Sequence, residues 1–256
     1  GGLKPVFAVY SSFLQRGFDQ IIHDVALQNL PVVFAVDRGG LVGSDGETHQ
    51  GIFDLSYLSM IPNMTVMSPK NKWEFADMIR FAIGFTKGPV AIRYPRGTAY
   101  DGYREFRPAI EYGKSEAVFE EEDIALISVG HMFETAAKVR EKLKEAGLNA
   151  SLINARFVKP LDEERIAKLA EDHRLLVTIE ENVESGGFGE RVLEFANRMA
   201  LDVRILNITL PDDYIEHGSV DMLRKEVMLD EESILKKVLT VYAGMQHEIA
   251  MKKGDQ

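Results

Sequence analysis

The sequence predicts an α/β protein made of two successive three-layer α/β/α domains with mostly parallel sheets. Short apolar runs that are typical of buried strands alternate with longer segments in which apolar residues recur at helical spacing. The alternation stops over a polar stretch at 98–111 and then resumes. A chain of 256 residues is long enough for two ordinary domains.

The first half of the chain, 1–97, is predicted to form the first domain. Its expected strands are 6–9, 31–36, 64–67 and 89–93, and its expected helices are 13–28, 53–60 and 73–84. Consecutive strands that are joined by helices pair in parallel, which predicts a parallel sheet covered by helices. We interpret 98–111, which has no clear period, as an interdomain linker.

The second half, 112–243, repeats the pattern and is predicted to form the second domain. Its expected strands are 123–129, 150–155, 175–179 and 203–207, and its expected helices are 132–146, 162–171, 190–199, 220–226 and 231–242. We expect 244–256 to be a polar, frayed tail.

Composition excludes several classes of function. The net charge of −10 and the pI of about 5.2 argue against nucleic acid or an anionic membrane as the main partner. The chain has no cysteine, so disulfides and thiolate chemistry are excluded, and a cytoplasmic location is expected. No apolar run is long enough to span a bilayer.

The stretch 37–51 is the main candidate for a functional loop. It follows an apolar strand, contains five glycines, and carries Arg38, Asp45 and His49. A glycine-rich loop at the carboxyl end of a strand is where α/β proteins hold substrates. A polar surface loop without function is the alternative.

Asp45 and His49 could move protons within this loop. An imidazole titrates near neutral pH, and a neighbouring carboxylate can orient it. A simple surface hydrogen-bonded pair fits the spacing equally well. No third ligand is evident, so we expect no metal site here.

Other candidate ligand-binding residues follow the first and fourth strands. Tyr10, Phe13 and Arg16 place aromatic rings beside a guanidinium, which suits a flat polar ligand, although Phe13 in the core and Arg16 in solvent would give the same pattern. Arg96 lies beyond a proline and could reach a phosphate, whereas Arg93 could be a structural ion-pair partner.

Two further groups of residues are interpreted as structural rather than catalytic. Glu180 and Glu181 end a strand and resemble an acid/base pair, but neighbours in a strand point apart, so we interpret them as structural or interface residues. We expect His131 to be a turn or packing residue, and Gly186–Gly189 to form a tight turn.

Several motifs resemble 1-deoxy-D-xylulose-5-phosphate synthases, a family of transketolase-like enzymes. The resemblance covers nearly the whole chain. The most specific motifs are Tyr10-Ser-Ser-Phe-Leu-Gln-Arg16, the run from Asp37 to Gly51 and Phe53-Asp-Leu-Ser-Tyr-Leu58, and more widely shared ones are Tyr94-Pro-Arg-Gly97, Asn154–Asp162, Thr178-Ile-Glu-Glu-Asn182 and Ile215-Glu-His-Gly218.

The resemblance implies an activity and its cofactors. Such a synthase condenses pyruvate with D-glyceraldehyde 3-phosphate and releases CO2, using thiamine diphosphate and a divalent cation, usually Mg. The implied domains are the pyrimidine-binding domain, incomplete at its N-terminus, and the transketolase C-terminal domain. Homodimerisation is also implied.

The resemblance also implies roles for individual residues. Phe13 would stack on the aminopyrimidine ring, while Tyr10 and Arg16 would line the donor side. Asp45 and His49 would contact reacting groups and assist proton movement. The acceptor phosphate would be held by the two remaining candidates, Arg38 and Arg96.

The resemblance implies parts that we do not find in this sequence. The diphosphate-binding domain with its metal motif, and the glutamate that activates the aminopyrimidine, would lie upstream, so we expect the chain alone to be catalytically incomplete. The alternatives are a separate C-terminal or beta subunit of another thiamine enzyme, such as a split transketolase or a 2-oxo acid dehydrogenase, and a non-catalytic dimerisation module.

Overall fold

The computed structural model describes residues 2–254, without the side chains of 248–250 and 252–254, and contains two five-stranded sheets. Across the first sheet the strands follow the order β1 (Val6–Tyr10), β2 (Val33–Asp37), β4 (Val90–Arg93), β3 (Thr65–Met67) and β8 (Phe157–Lys159). Across the second sheet the order is β10 (Arg204–Leu210), β9 (His173–Val183), β6 (Asp123–Ser128), β7 (Ala150–Asn154) and β5 (Glu116–Phe119). All pairings are parallel except β3 with β8 and β5 with β7. The predicted α/β class with mostly parallel sheets is confirmed.

Apart from the helix predicted at 13–28, the elements of the first domain agree with the apolar pattern in order and type. The strands are β1 (Val6–Tyr10), β2 (Val33–Asp37), β3 (Thr65–Met67) and β4 (Val90–Arg93), and the helices are α1 (Ser11–Leu14), α2 (Phe18–Gln20), α3 (Asp54–Ser59) and α4 (Lys72–Gly84). The predicted helix 13–28 is instead irregular. Between and after α1 and α2 the chain forms a 3-10 turn at Gln15–Gly17 and a π-helical turn at Ile21–Ala26.

The second domain contains the remaining elements. The strands are β5 (Glu116–Phe119), β6 (Asp123–Ser128), β7 (Ala150–Asn154), β8 (Phe157–Lys159), β9 (His173–Val183) and β10 (Arg204–Leu210), and the helices are α5 (Met132–Glu145), α6 (Glu163–Asp172), α7 (Phe188–Arg198), α8 (Val220–Glu226) and α9 (Glu231–Gly254). The tail expected from 244 is therefore helical as far as Gly254, and positions 255 and 256 lie outside the described residues.

One strand crosses between the predicted domains. β8 lies within 112–243, yet it pairs antiparallel with β3 and closes the edge of the first sheet. One apolar cluster likewise takes Val36 and Leu55 from the first domain and Ile127 and Phe188 from the second. The two sheets therefore share a core.

The stretch 98–111 has no helix or strand, but its aromatic residues are packed. The Tyr103 ring lies 5.2 Å from the Phe133 ring, and the Phe106 ring lies 5.5 Å from the Phe119 ring, measured between centroids. This stretch therefore packs on the second domain.

Candidate functional site

The parallel register of the first sheet brings the candidate side chains to one edge. Tyr10 at the end of β1 pairs with Asp37 at the end of β2, and Val36 pairs with Arg93 at the end of β4. The carboxyl ends of parallel strands form the usual ligand-binding edge of an α/β sheet. The chain leaves these strands into α1, the glycine-rich loop 38–51 and the turn that carries Arg96.

Arg38 begins the loop in a left-handed backbone conformation, with φ of 60°. Its guanidinium lies 4.0 Å from the centre of the Tyr10 ring and donates to the Tyr10 hydroxyl at 3.0 Å. It also donates to Oδ2 of Asp45 at 2.5 Å. A planar guanidinium suits such combined stacking and hydrogen bonding better than an ammonium would.

Arg96 reaches the same carboxylate from the other side. Its guanidinium lies 3.3 Å from Oδ2 of Asp45 and donates to the Val42 carbonyl at 3.0 Å. Two guanidinium groups therefore share the carboxylate of Asp45. Because the Arg96 side chain is 42% exposed, an anion from solvent can approach it.

The aromatic residues form a partly exposed stack beside this pair of arginines. The Phe13 ring lies 5.2 Å from the Tyr10 ring in a stacked arrangement and 5.5 Å from the His49 ring, edge to face. Phe13 is 52% exposed, so the interpretation of Phe13 as a core residue is wrong. An exposed aromatic face next to an imidazole offers a surface for a flat ring.

The structure does not pair Asp45 with His49. Asp45 forms ion pairs with the two arginines, whereas Nδ1 of His49 lies 3.0 Å from the Thr48 hydroxyl. Arg16 is exposed in the 3-10 turn, and within the described part of the chain its side chain makes no hydrogen bond or ion pair. The structure thus gathers six of the seven predicted residues and leaves Arg16 apart.

Close backbone contacts fix the base of the glycine-rich loop. Gly40 and Gly51 exchange two backbone hydrogen bonds, at 2.6 and 2.8 Å. A Cβ atom on Gly51 would lie 2.1 Å from the Arg38 carbonyl oxygen, and one on Gly39 would lie 2.1 Å from Nε of Arg93. Only glycine fits at either position, so the loop closes tightly beneath its functional residues.

Arg93 lies beneath this loop and is a structural ion-pair partner, which is one of the roles that the sequence allowed. It is fully buried, and its Nε donates to Asp54 at 3.2 Å. Its Nη2 donates to the carbonyls of Gly51 and Glu181 at 3.3 and 2.8 Å. Arg93 therefore ties the loop to the second domain.

The sequence did not reveal the residues of the second domain that hold the loop. Glu181 accepts hydrogen bonds from the Leu41 amide, His131 and Arg224. Gln50 accepts from the Val42 amide at 2.7 Å and donates to the Glu216 carbonyl at 3.1 Å. The one available signal was the pair of carboxylates at 180–181 directly after an apolar run, which the sequence placed in a structural or interface role.

A cavity of about 400 Å³ opens beside the two arginines, between the domains. Its walls include Phe75, Tyr94 and Tyr100, together with Lys72 and His131. Among the described residues, no group of three or more His, Asp or Glu side chains could hold a metal ion, and no helix is long and apolar enough to cross a membrane. Arginine side chains beside exposed and cavity-lining aromatic rings suit a ligand that carries an anion and a flat ring.

Two family models match the chain, one on each half. The transketolase pyrimidine-binding domain matches residues 1–100, and the transketolase C-terminal domain matches residues 113–234. The 1-deoxy-D-xylulose-5-phosphate synthase of Lachnoclostridium phytofermentans is 54% identical over 93% of this chain and 38% of its own length. That of Aquifex aeolicus is 48% identical over 95% of this chain and 38% of its own length.

Solved structures show the same fold. A split-gene transketolase, described as an inactive beta4 tetramer, superposes with a TM-score of 0.85 at 23% identity, covering 94% of this chain and 77% of that chain. A transketolase variant from Pichia stipitis gives a TM-score of 0.74 at 16% identity, covering 94% of this chain and 34% of that chain. This chain therefore belongs to the transketolase family, in which it matches the C-terminal part of 1-deoxy-D-xylulose-5-phosphate synthases over little more than a third of their length.

Proposed function

We propose that this chain is the C-terminal part of an enzyme that condenses pyruvate with D-glyceraldehyde 3-phosphate and releases CO2. The observation that carries the proposal is the convergence of Arg38 and Arg96 on Asp45, beside exposed aromatic rings and an imidazole. Guanidinium groups hold a phosphate through paired, charge-assisted hydrogen bonds, so these two arginines suit the phosphate of the acceptor. The 54% identity to a synthase supports this reaction over that of a separately encoded transketolase or dehydrogenase subunit, or a purely dimerising module.

The residues present fit one end of thiamine diphosphate. The exposed Phe13 ring offers a stacking surface for the aminopyrimidine, whereas the described residues contain no carboxylate cluster for a metal-bound diphosphate. We propose that Mg and the diphosphate are held by a diphosphate-binding domain outside this chain. When bound, the cofactor supplies the electron sink for the decarboxylation.

The residues of this chain bind, orient and move protons. Arg38 and Arg96 hold the acceptor phosphate, while Tyr10 fixes Arg38 by stacking and by its hydroxyl. His49 faces Phe13 at the edge of the site and exchanges protons with the reacting hydroxyl, and Asp45 restrains both arginines. Arg16, which is exposed in the 3-10 turn after α1, would meet the carboxylate of pyruvate.

The assembled enzyme is proposed to be a cytoplasmic homodimer. Exposed apolar side chains lie near the first strand, including Leu3, Val6 and Phe7, at 89%, 53% and 51% exposure. Such surfaces favour association. A monomer in sedimentation velocity at high concentration would contradict the dimer.

A chimera tests the reaction directly. The corresponding C-terminal part of the Lachnoclostridium phytofermentans synthase is replaced by this chain, and CO2 release from pyruvate is measured with and without D-glyceraldehyde 3-phosphate. Acceptor-dependent release is expected in this reconstituted enzyme. No release from a folded chimera that binds thiamine diphosphate would refute the proposed reaction.

Arg96→Ala tests the phosphate role in the same enzyme. Loss of a charge-assisted hydrogen bond should raise the KM for D-glyceraldehyde 3-phosphate about 10- to 100-fold and leave the KM for pyruvate unchanged. The matched control is Arg80→Ala, because Arg80 is exposed and, among the residues that the structure describes, its one ion pair is with Asp77. An unchanged acceptor KM in Arg96→Ala would show that Arg96 does not bind the phosphate.

A further inference from the structure

The carboxylate of Glu181 joins the second domain to the glycine-rich loop. Glu181 lies near the end of β9 and is only 1% exposed. Its Oε2 accepts from the Leu41 amide at 2.9 Å and lies 2.8 Å from Nε2 of His131. Its Oε1 accepts from Nε of Arg224 at 2.7 Å. Both oxygens of this buried group are therefore engaged.

The charges around Glu181 keep it ionised. Burial alone would raise the pKa of its carboxyl, but His131 and Arg224 outweigh burial and hold this pKa well below its usual range. Burial lowers the pKa of His131. Because an ionised carboxylate can only accept, Nε2 of His131 is the donor in its contact with Glu181. Arg93 also approaches, through the Glu181 carbonyl. A fixed anion thus faces the Leu41 amide.

The Leu41 amide lies one residue before the carbonyl that orients Arg96. Val42 is held through its amide by Gln50 and accepts from Arg96 through its carbonyl. The preceding Gly40 adopts φ of 85°, and a Cβ atom there would lie 2.1 Å from Oε2 of Glu181. The loop backbone therefore lies directly against the carboxylate, so a shift of Glu181 would move the Val42 carbonyl.

We propose that Glu181 is a positioning residue for acceptor binding: by fixing Leu41 and Val42 it keeps Arg96 aimed at the phosphate of the acceptor. Glu181 does not touch the substrate. The assignment rests on the proposed function for its effect on the acceptor, whereas its effect on the loop is a property of this chain. If Glu181 only stabilised the fold, replacing it would weaken the binding of both substrates to a similar extent.

Hydrogen–deuterium exchange on this chain tests the contact with the loop. Glu181→Gln keeps the size of the side chain but replaces the anion with an amide, whose NH2 group opposes one of the donors. The Leu41 amide should exchange about 10- to 100-fold faster, while amides of α5 stay protected. Glu226→Gln is the matched control, because Glu226 is exposed on α8 two residues beyond Arg224. Equal exchange at Leu41 in Glu181→Gln and wild type would overturn the proposal.

Kinetics in the reconstituted enzyme test the consequence for the substrate. Glu181→Gln should raise the KM for D-glyceraldehyde 3-phosphate about tenfold. The KM for pyruvate, and turnover with unphosphorylated D-glyceraldehyde, should stay within about twofold of wild type. Equal changes for the two aldehydes, or for pyruvate, would reduce Glu181 to a structural role and overturn the proposal.

A second variant covers the case in which Glu181→Gln does not fold. Arg224→Met removes one anchor of the carboxylate and leaves its bond to Leu41 in place, so smaller changes in the same direction are expected. A folded Arg224→Met with wild-type exchange at Leu41 would refute the link. If the wild-type enzyme lacks the proposed reaction, the proposed function fails, and the exchange experiment still decides whether Glu181 holds the loop.

Discussion

Glu180 should make the stability of this protein fall as the pH rises through neutrality. Its side chain is fully buried at the N-terminus of α7, where Oε2 accepts from the Phe188 amide at 2.9 Å and Oε1 from the Gly189 amide at 2.8 Å. Burial outweighs these two donors and raises the pKa of its carboxyl from 4.5 to about 7. The folded state therefore holds a proton that the unfolded state has already released.

The sign and size of the effect follow from proton linkage. Below pH 4.5 the carboxyl is protonated in both states, and its stabilisation is fully present. As the pH rises through 7 the folded state must also release the proton, so the free energy of unfolding falls. Each pKa unit corresponds to about 1.4 kcal/mol. Between pH 5 and pH 8, the proton release from Glu180 should therefore lower the free energy of unfolding by about 2.5 kcal/mol.

Glu180→Gln isolates this contribution. The amide cannot titrate, and it should lose one of the two backbone hydrogen bonds, which makes the variant about 1–3 kcal/mol less stable than the wild type at pH 5. Urea unfolding of wild type and variant at several pH values between 5 and 8 gives the difference in unfolding free energy. That difference should shrink by about 2.5 kcal/mol toward pH 8. Parallel curves for the two proteins would refute a raised pKa at Glu180, and Glu226→Gln should give a curve parallel to that of the wild type.

Three further predictions concern the loop, the domain interface and the cofactor surface. Gly51→Ala should lower the unfolding free energy by more than about 2 kcal/mol because its Cβ would meet the Arg38 carbonyl, whereas Gly84→Ala, which meets nothing within 4 Å, should not destabilise; thermal melts of both check this. Lys70→Met should lower the free energy of unfolding, measured with urea, by about 3 kcal/mol, because Lys70 is buried between Glu116 and the Phe106 carbonyl. An equal loss in Lys72→Met, whose lysine is exposed, would contradict this prediction. Phe13→Ala should leave the melting temperature unchanged, since Phe13 is half exposed, while calorimetry on the reconstituted enzyme should show thiamine diphosphate binding about 3- to 10-fold more weakly.

Local patterns in the sequence account for the elements that have strong apolar runs. The strand predicted at 123–129 and the helix at 132–146 match β6 and α5 within a residue. The pattern missed β8, which has only three residues, and β5, which begins with the buried charge of Glu116. Both are antiparallel additions at sheet edges, and their partners are distant in sequence. Nothing in a short window encodes such pairing.

In the candidate site too, local features could be predicted from the sequence, and contacts between distant residues could not. The loop 37–51 stood out because glycine, arginine and histidine cluster there after a strand. The partner of Asp45 was predicted wrongly: two cations compete for its carboxylate, and charge attraction favours them over His49. The link from Leu41 to Glu181 spans 140 positions, and only the folded chain brings these residues together.

The position of β8 constrains when the first domain can finish folding during synthesis. Residues 1–97 leave the ribosome before the second half of this chain, but β3 then pairs only with β4, and its outer edge has no partner until Phe157–Lys159 have also emerged. Until then the edge of the nascent sheet can pair with other chains. A ribosome paused between the two halves would therefore expose an unfinished sheet, and cutting the gene at the polar stretch would make that state permanent.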